Sequence, residues 1–215
     1  MGTNVFPLAI AGAALLTLTI PGMAQAVTFF TNRPDWEAAV GRFTTETFDT
    51  PVANASVITF STGVTSTGLG GSILNEIGGG TYQGRVDTSG NFPGRFREIR
   101  WVFPKPVFGL AADWIDVATG SGLTVSGNFD GSGIQTISFR DRLGSPGTGF
   151  LGIIGAASFS ELVFREEVPV FGDIGDEFFQ VDNLSTTVVP IPALLPGLIG
   201  LGMGIWRKRK EATID

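Results

Sequence analysis

Carboxylates, with Lys, Arg, Ser and the single tyrosine, Tyr82, are the groups from which any catalysis by this chain must be built, because its 215 residues include no His and no Cys. That excludes a Ser-His-Asp or Cys-His nucleophile, a His- or thiolate-bound zinc, and an imidazole base near neutral pH. A disulfide framework is excluded as well. The acids that stand out are Glu46 and Asp49 at the end of one apolar run and Asp182, followed by Asn183, in the last. If the first and last strands of the fold lie side by side, these oxygens could gather around Ca²⁺, which takes six to eight oxygen ligands and needs neither His nor Cys. A structural Ca²⁺ held by Glu46, Asp49 and Asp182 is therefore expected, against the plainer reading of turn capping and solvation.

Two other acidic groupings carry less. Asp113 and Asp116 flank Trp114-Ile115, and on a strand residues three apart point to opposite faces, so they converge only through a bulge. The simplest paired-carboxylate glycosidase is thereby disfavoured. Glu166, Glu167, Asp173, Asp176 and Glu177 read as a solvated acidic loop. Trp36, Trp101, Trp114 and Tyr82 could stack on sugar rings from an exposed sheet face, or, as each neighbours apolar residues, fill a core.

The elements that must position these groups read as strands and turns. One helix is predicted over Pro34–Val40: Pro34 suits the first turn, Asp35 and Glu37 favour the dipole's positive end, and Gly41 stops it. Candidate strands, rich in Phe, Val, Ile and Thr, are 43–49, 57–61, 72–77, 81–86, 99–103, 107–115, 123–129, 134–139, 150–154, 159–164 and 177–187. Asp130-Gly131-Ser132-Gly133 predicts a hairpin turn, and Gly68-Leu69-Gly70-Gly71 and Gly78-Gly79-Gly80 read as turns rather than phosphate loops. Many short antiparallel strands without a long helical period predict an all-β, jelly-roll-like β-sandwich.

Both ends read as addresses. Phe6–Met23 is apolar, broken by Pro21-Gly22, and is followed by Ala24-Gln25-Ala26, with small residues at the two positions a signal peptidase reads. Residues 1–26 are thus expected to be a signal peptide. Val188–Trp206 has no charge and is followed by Arg207, Lys208, Arg209 and Lys210. A helix of that length just reaches across a hydrocarbon core of roughly 30 Å, and the basic cluster would stay on the cytoplasmic side. The chain divides into a leader (1–26), a β-sandwich ectodomain (27–187) and a C-terminal sorting and transmembrane segment (188–215). Of 14 basic and 20 acidic residues in all, the part between the two signals keeps about 10 basic and 18 acidic. That acidic surplus argues against nucleic acid, which needs a basic stripe.

The tail, Val189-Pro190-Ile191-Pro192-Ala193-Leu194-Leu195-Pro196-Gly197 with its basic end, resembles the PEP-CTERM sorting signal of exported bacterial proteins. Ile191 stands where that family usually has Glu, which is closer to the Pro-x-Pro-Ala variant associated with cyanobacteria. The resemblance implies recognition by an exosortase, a membrane-embedded cysteine protease thought to cut near Pro190 and Pro192. It also implies an anchored precursor that becomes a surface or extracellular protein. More loosely, Phe29–Ala39, Thr45–Asp49, Pro106–Leu110, Gly149–Ile153 and Gln180–Leu184 resemble β-sandwich domains found in front of this signal. The expected role is a non-enzymatic surface or matrix component that binds polysaccharide; the alternatives are a carboxylate-based polysaccharide hydrolase and a plain type I membrane-anchored protein.

The exported chain should begin at Val27, which amino-terminal sequencing checks. Changing Pro190 and Pro192 to Ala should let helix extend outward through the recognition segment and leave an unprocessed membrane species, visible as retained mass in the membrane fraction. A double variant that matures like the parent would contradict the sorting reading.

Overall fold

Two strands of 18 residues, Glu98–Ile115 and Gly149–Glu166, organise the molecule. The computed structural model describes residues 27–70, 74–87, 97–118, 122–167 and 176–188. In chain order the elements are β1 (Thr28–Phe30), α1 (Arg33–Val40), β2 (Thr44–Glu46), β3 (Val57–Thr59), β4 (Thr65–Leu69), β5 (Asn75–Gly78) and β6 (Thr81–Asp87). There follow β7 (Glu98–Ile115), β8 (Leu123–Gly127), β9 (Gln135–Ser138), α2 (Arg140–Leu143), β10 (Gly149–Glu166) and β11 (Asp176–Thr187).

All pairings are antiparallel, and β7 and β10 each serve two layers. The amino-terminal half of β7 pairs with β4 and with the carboxy-terminal half of β10, giving the order β3-β4-β7-β10-β8-β9. The other halves give β5-β6-β11-β7-β10-β1, with β2 also on β11. The expected all-β sandwich is therefore present, with the layers joined at a corner where strands pass from one sheet to the other. At that corner the β7–β10 register shifts between Ile154, Phe159 and Glu161. Pro104 and Pro106 sit in the unpaired stretch of β7 opposite this shift, where a missing N–H breaks no ladder bond. The sequence predicts separate strands over 99–103 and 107–115 and over 150–154 and 159–164; the chain instead bends and continues as β7 and β10.

The core fills the space between the layers. Alternate residues of β7 (Ile99, Trp101, Phe103, then Leu110, Ala112, Trp114) and of β10 (Leu151, Ile153, then Leu162, Phe164) all face it. Ring contacts tie the layers together, with Trp101 against Tyr82 at 5.3 Å, Phe60 at 5.5 Å and Phe164 at 4.7 Å, and Trp114 against Phe139 at 4.4 Å between centroids. A polar knot is buried among them: Ser66 Oγ donates to Asn75 Oδ1 at 2.7 Å, and Tyr82 OH donates to the same oxygen at 3.1 Å. The Asn75 amide donates in turn to Ala55 O and Ser66 O, so the group is satisfied rather than orphaned. Burial pushes the Tyr82 phenol well above its ordinary range, which keeps it a neutral donor at every accessible pH.

Helix α1 covers the outside of the β11-β7-β10-β1 layer. Its ends follow the sequence: Asn32 Oδ1 accepts from Asp35 N, and Gly41, at φ +71°, donates to Glu37 O. Trp36 and Val40 share its buried face, resting on Ala111 and Ile154. The indole lies over Gly152, where a Cβ would come within 2.5 Å of Trp36 Cδ1. Elsewhere the expected hairpin glycines hold. Gly79 and Gly80, at φ +63° and +81°, make the two-residue β5–β6 turn, and Gly131 and Gly133 lie in the β8–β9 turn. The exception is Gly68-Leu69, which belongs to β4; the chain turns at Gly70, φ +89°.

Gly152→Ala should lift Trp36 off the sheet and cost about 1–3 kcal/mol of overpacking. At about 2–4 °C per kcal/mol for a domain of this size, the melting temperature should fall by several degrees. An unchanged melt would mean the indole is not seated there.

Candidate functional site

The three carboxylates expected to share a cation do not share a face. The adjacency they required does exist, since β2 pairs with β11, but Glu46 is the cross-strand partner of Leu184 and points inward with it. Asp182 is flanked by the core residue Val181 and points outward. Glu46 is only 4% exposed and already accepts from Ser61 Oγ (2.7 Å), Thr62 N (2.9 Å), Thr62 Oγ1 (3.2 Å) and Phe48 N (3.2 Å). Burial would raise its pKa, but these hydrogen bonds outweigh that and hold it below the ordinary carboxylate range. It is a clamp on the Ser61-Thr62 turn. Asp49 is exposed and accepts from Thr47 Oγ1 at 2.6 Å. Among the described residues no group of three or more acids stands close enough to hold a metal.

Asp182 has a different neighbour. It lies directly opposite Asp113 across the β11–β7 ladder, a like-charge pair that costs stability unless compensated. Compensation comes from a bulge: Asn183, at φ +51°, places its amide nitrogen 3.0 Å from both Asp113 Oδ2 and Asp182 Oδ2. Arg33 completes it, 2.9 Å from Asp113 Oδ2 and 4.7 Å above the Phe150 ring. The group ties α1 to the sheet. Asp116, by contrast, lies past the end of β7 at φ +59°, where Thr148 Oγ1 donates to it at 3.4 Å. Asp113 and Asp116 are held by different partners at different places.

The acidic stretch expected to be a solvated loop is only partly one. Glu166 and Glu177 are 3% and 0% exposed, because each follows the inward alternation of its strand; Glu177 accepts from Gly122 N at 3.1 Å. Glu167 accepts from Ser138 Oγ at 3.2 Å, and Asp173 lies outside the described residues. The sugar-stacking reading of the aromatics also fails. Trp36, Trp101, Trp114 and Tyr82 are all at most 1% exposed, so none offers a ring face to a ligand. Ala24, Ala26, Pro190, Pro192, Ala193 and Arg207–Lys210 lie outside the described residues. No helix among the described residues is long and apolar enough to cross a membrane.

What remains is the outer face of the β3-β4-β7-β10-β8-β9 layer, which carries no helix among the described residues. Ser126, Thr136, Glu161, Val163, Arg165, Ile134 and the backbone of Gly127 line a shallow depression there of about 290 Å³. Strands β8, β9 and β10 contribute by alternation: Val125 and Ile137 point in, so Ser126 and Thr136 point out, their hydroxyls 2.8 Å apart. Arg165 Nε donates to Glu98 Oε2 at 2.6 Å, so its charge is compensated. Glu161 stands exposed, and Ile134, 71% exposed, supplies an apolar wall. Hydroxyl, carboxylate, guanidinium and aliphatic surface in one shallow site suit a polyol better than a flat aromatic or a phosphate.

No family model matches the chain, and no curated protein matches it significantly. Among solved structures the chain is similar to a low-affinity xylan-binding module, CBM86, from the xylanolytic gut symbiont Roseburia intestinalis. The identity is 10% and the TM-score 0.33, over 58% of this chain and 96% of that one.

Glu46→Gln puts an NH₂ group against hydroxyl and amide donors, and should destabilise the fold by about 1–3 kcal/mol. The linkage sign follows from its lowered pKa. The carboxylate's contribution is full above the ordinary carboxylate range and is lost as pH falls through the folded-state value. Denaturant melts across the acid range should therefore converge for parent and variant at low pH, and a constant gap would contradict this role.

Proposed function

We propose that this chain is an exported, non-catalytic β-sandwich that binds polysaccharide on the outer face of its β3-β4-β7-β10-β8-β9 layer. The observation that supports the reading is the depression built by Ser126, Thr136, Glu161 and Arg165 on a sheet face that no helix covers among the described residues. Sugars present hydroxyls that donate and accept together with apolar ring C–H edges. Ser and Thr hydroxyls and charged groups serve the first, and Ile134 and Val163 the second. Binding that relies on polar contacts and aliphatic walls, with no stacked aromatic, is expected to be weak for a single site.

The non-catalytic part rests on the count of acids in the depression. Glycoside hydrolysis ordinarily uses two carboxyl groups flanking the scissile bond. The lining here holds one, Glu161, while the neighbouring Glu98 is engaged by Arg165. Delivery belongs to the same proposal: a leader cut after Ala26, then an anchored precursor processed near Pro190 and Pro192 by an exosortase-type membrane protease. The cell surface or its matrix is where a polysaccharide binder would meet its ligand.

The mature exported protein should be retarded in native gels containing soluble xylan or another soluble polysaccharide. Glu161→Ala with Thr136→Val should weaken that retardation at least about thirtyfold in apparent affinity, the loss expected for one charge-assisted and one neutral hydrogen bond, with no change in melting temperature because both residues are exposed. Retardation equal to the parent's would place binding elsewhere.

A further inference from the structure

Resting on that reading, we infer that the ligand is a neutral, linear polysaccharide laid across the strands, rather than an acidic polymer or a single sugar unit. The register fixes a row of outward positions, one from each strand: Val57, Thr67, Arg100, Val163, Ser126 and Thr136. Neighbouring strands lie about 4.8 Å apart, so five steps extend about 24 Å, several times the width of one sugar ring. The depression occupies one end of this row and the β3 edge the other. Among the described residues nothing closes the row, because only exposed or half-buried side chains line it, Val57 being 53% exposed. A chain can therefore run on from the depression across β7 and β4 to the β3 edge, which a terminal-sugar pocket would prevent.

The charges on this face select the polymer. Glu98 and Arg165 neutralise each other at 2.6 Å. Arg100 in the row and Glu161 in the neighbouring row add one charge of each sign, so these four side chains of β7 and β10 balance while the whole chain carries a formal −6. A polyuronate or sulfated chain would bring repeated negative charge to a surface with no positive excess, inside an acidic protein's field. A hydroxyl-only chain meets no such penalty. Its hydroxyls find Thr67, Ser126, Thr136 and the two unlike charges, and its ring edges find Val57 and Val163.

Calorimetric titration of the mature full chain tests this with defined probes: xylohexaose and cellohexaose, their disaccharides, and hexagalacturonate, at low and at physiological salt. The expected result is a neutral hexasaccharide bound at least tenfold more tightly than its disaccharide and than hexagalacturonate, with an affinity that changes less than about twofold with salt. Thr67→Arg, two strands away from the depression, should weaken the hexasaccharide and spare the disaccharide. Equal affinity for hexasaccharide and disaccharide would overturn the row. Tighter, salt-sensitive binding of hexagalacturonate that is lost in Glu161→Ala with Thr136→Val would overturn neutrality while leaving the face as the site. Failure of every saccharide, neutral or acidic, to bind would overturn the proposed function itself.

Discussion

The structure depends on the β7–β10 ladder. These two strands pair twice, once in each layer, and turn the corner together, so a single run of backbone hydrogen bonds holds both faces of the core in register. The bend needs a place where pairing can lapse, and Pro104, Pro106 and the register shift after Ile154 supply it. Because a strand's side chains alternate, the ladder also decides the outside. Each residue that closes the core fixes its neighbours as surface, and Arg100, Val102, Glu161, Val163 and Arg165 become the middle of the open face without any local signal of their own.

The same constraint explains how the aromatics are spent. With no disulfide to add stability, the core is closed by rings from both layers, including Trp101, Trp114, Tyr82, Phe164 and Phe179. Trp36 closes the second contact, under α1. These rings are then unavailable to a ligand, and in the proposed function recognition falls to hydroxyls, unlike charges and short aliphatic side chains. The Arg33–Asp113–Asn183–Asp182 group fits the same picture, being used to dock a helix over opposed carboxylates.

Local physics was legible in the sequence where one segment carries its own signal. The helix from Pro34 to Val40, the Gly79-Gly80 turn and the turn at Asp130–Gly133 are all met. The all-β class followed from the density of short β-rich runs. Three things were not legible. Proline inside a strand reads as an end unless the partner strand's lapse is known, so β7 and β10 were each divided in two. Gly68 reads as a turn, although Gly70 makes it, which hid β4. The third is which strands lie side by side. Alternation in Ile99–Phe103 already turns Arg100 outward, but only the fold brings Arg100 beside Thr67 and Val163, and only inward-facing register sends Glu46 away from Asp182.

The central claim is that the open layer, not the helix-covered one, meets the ligand. Backbone amide chemical-shift mapping of the isotopically labelled mature protein during titration with a neutral hexasaccharide tests it most directly. Shifts concentrated at Thr67, Arg100, Val163, Ser126 and Thr136, with Arg33, Asp113, Gly152 and Asn183 unmoved, are the expected result. Shifts confined to α1 and the outward residues of β11, with the open face silent, would contradict it.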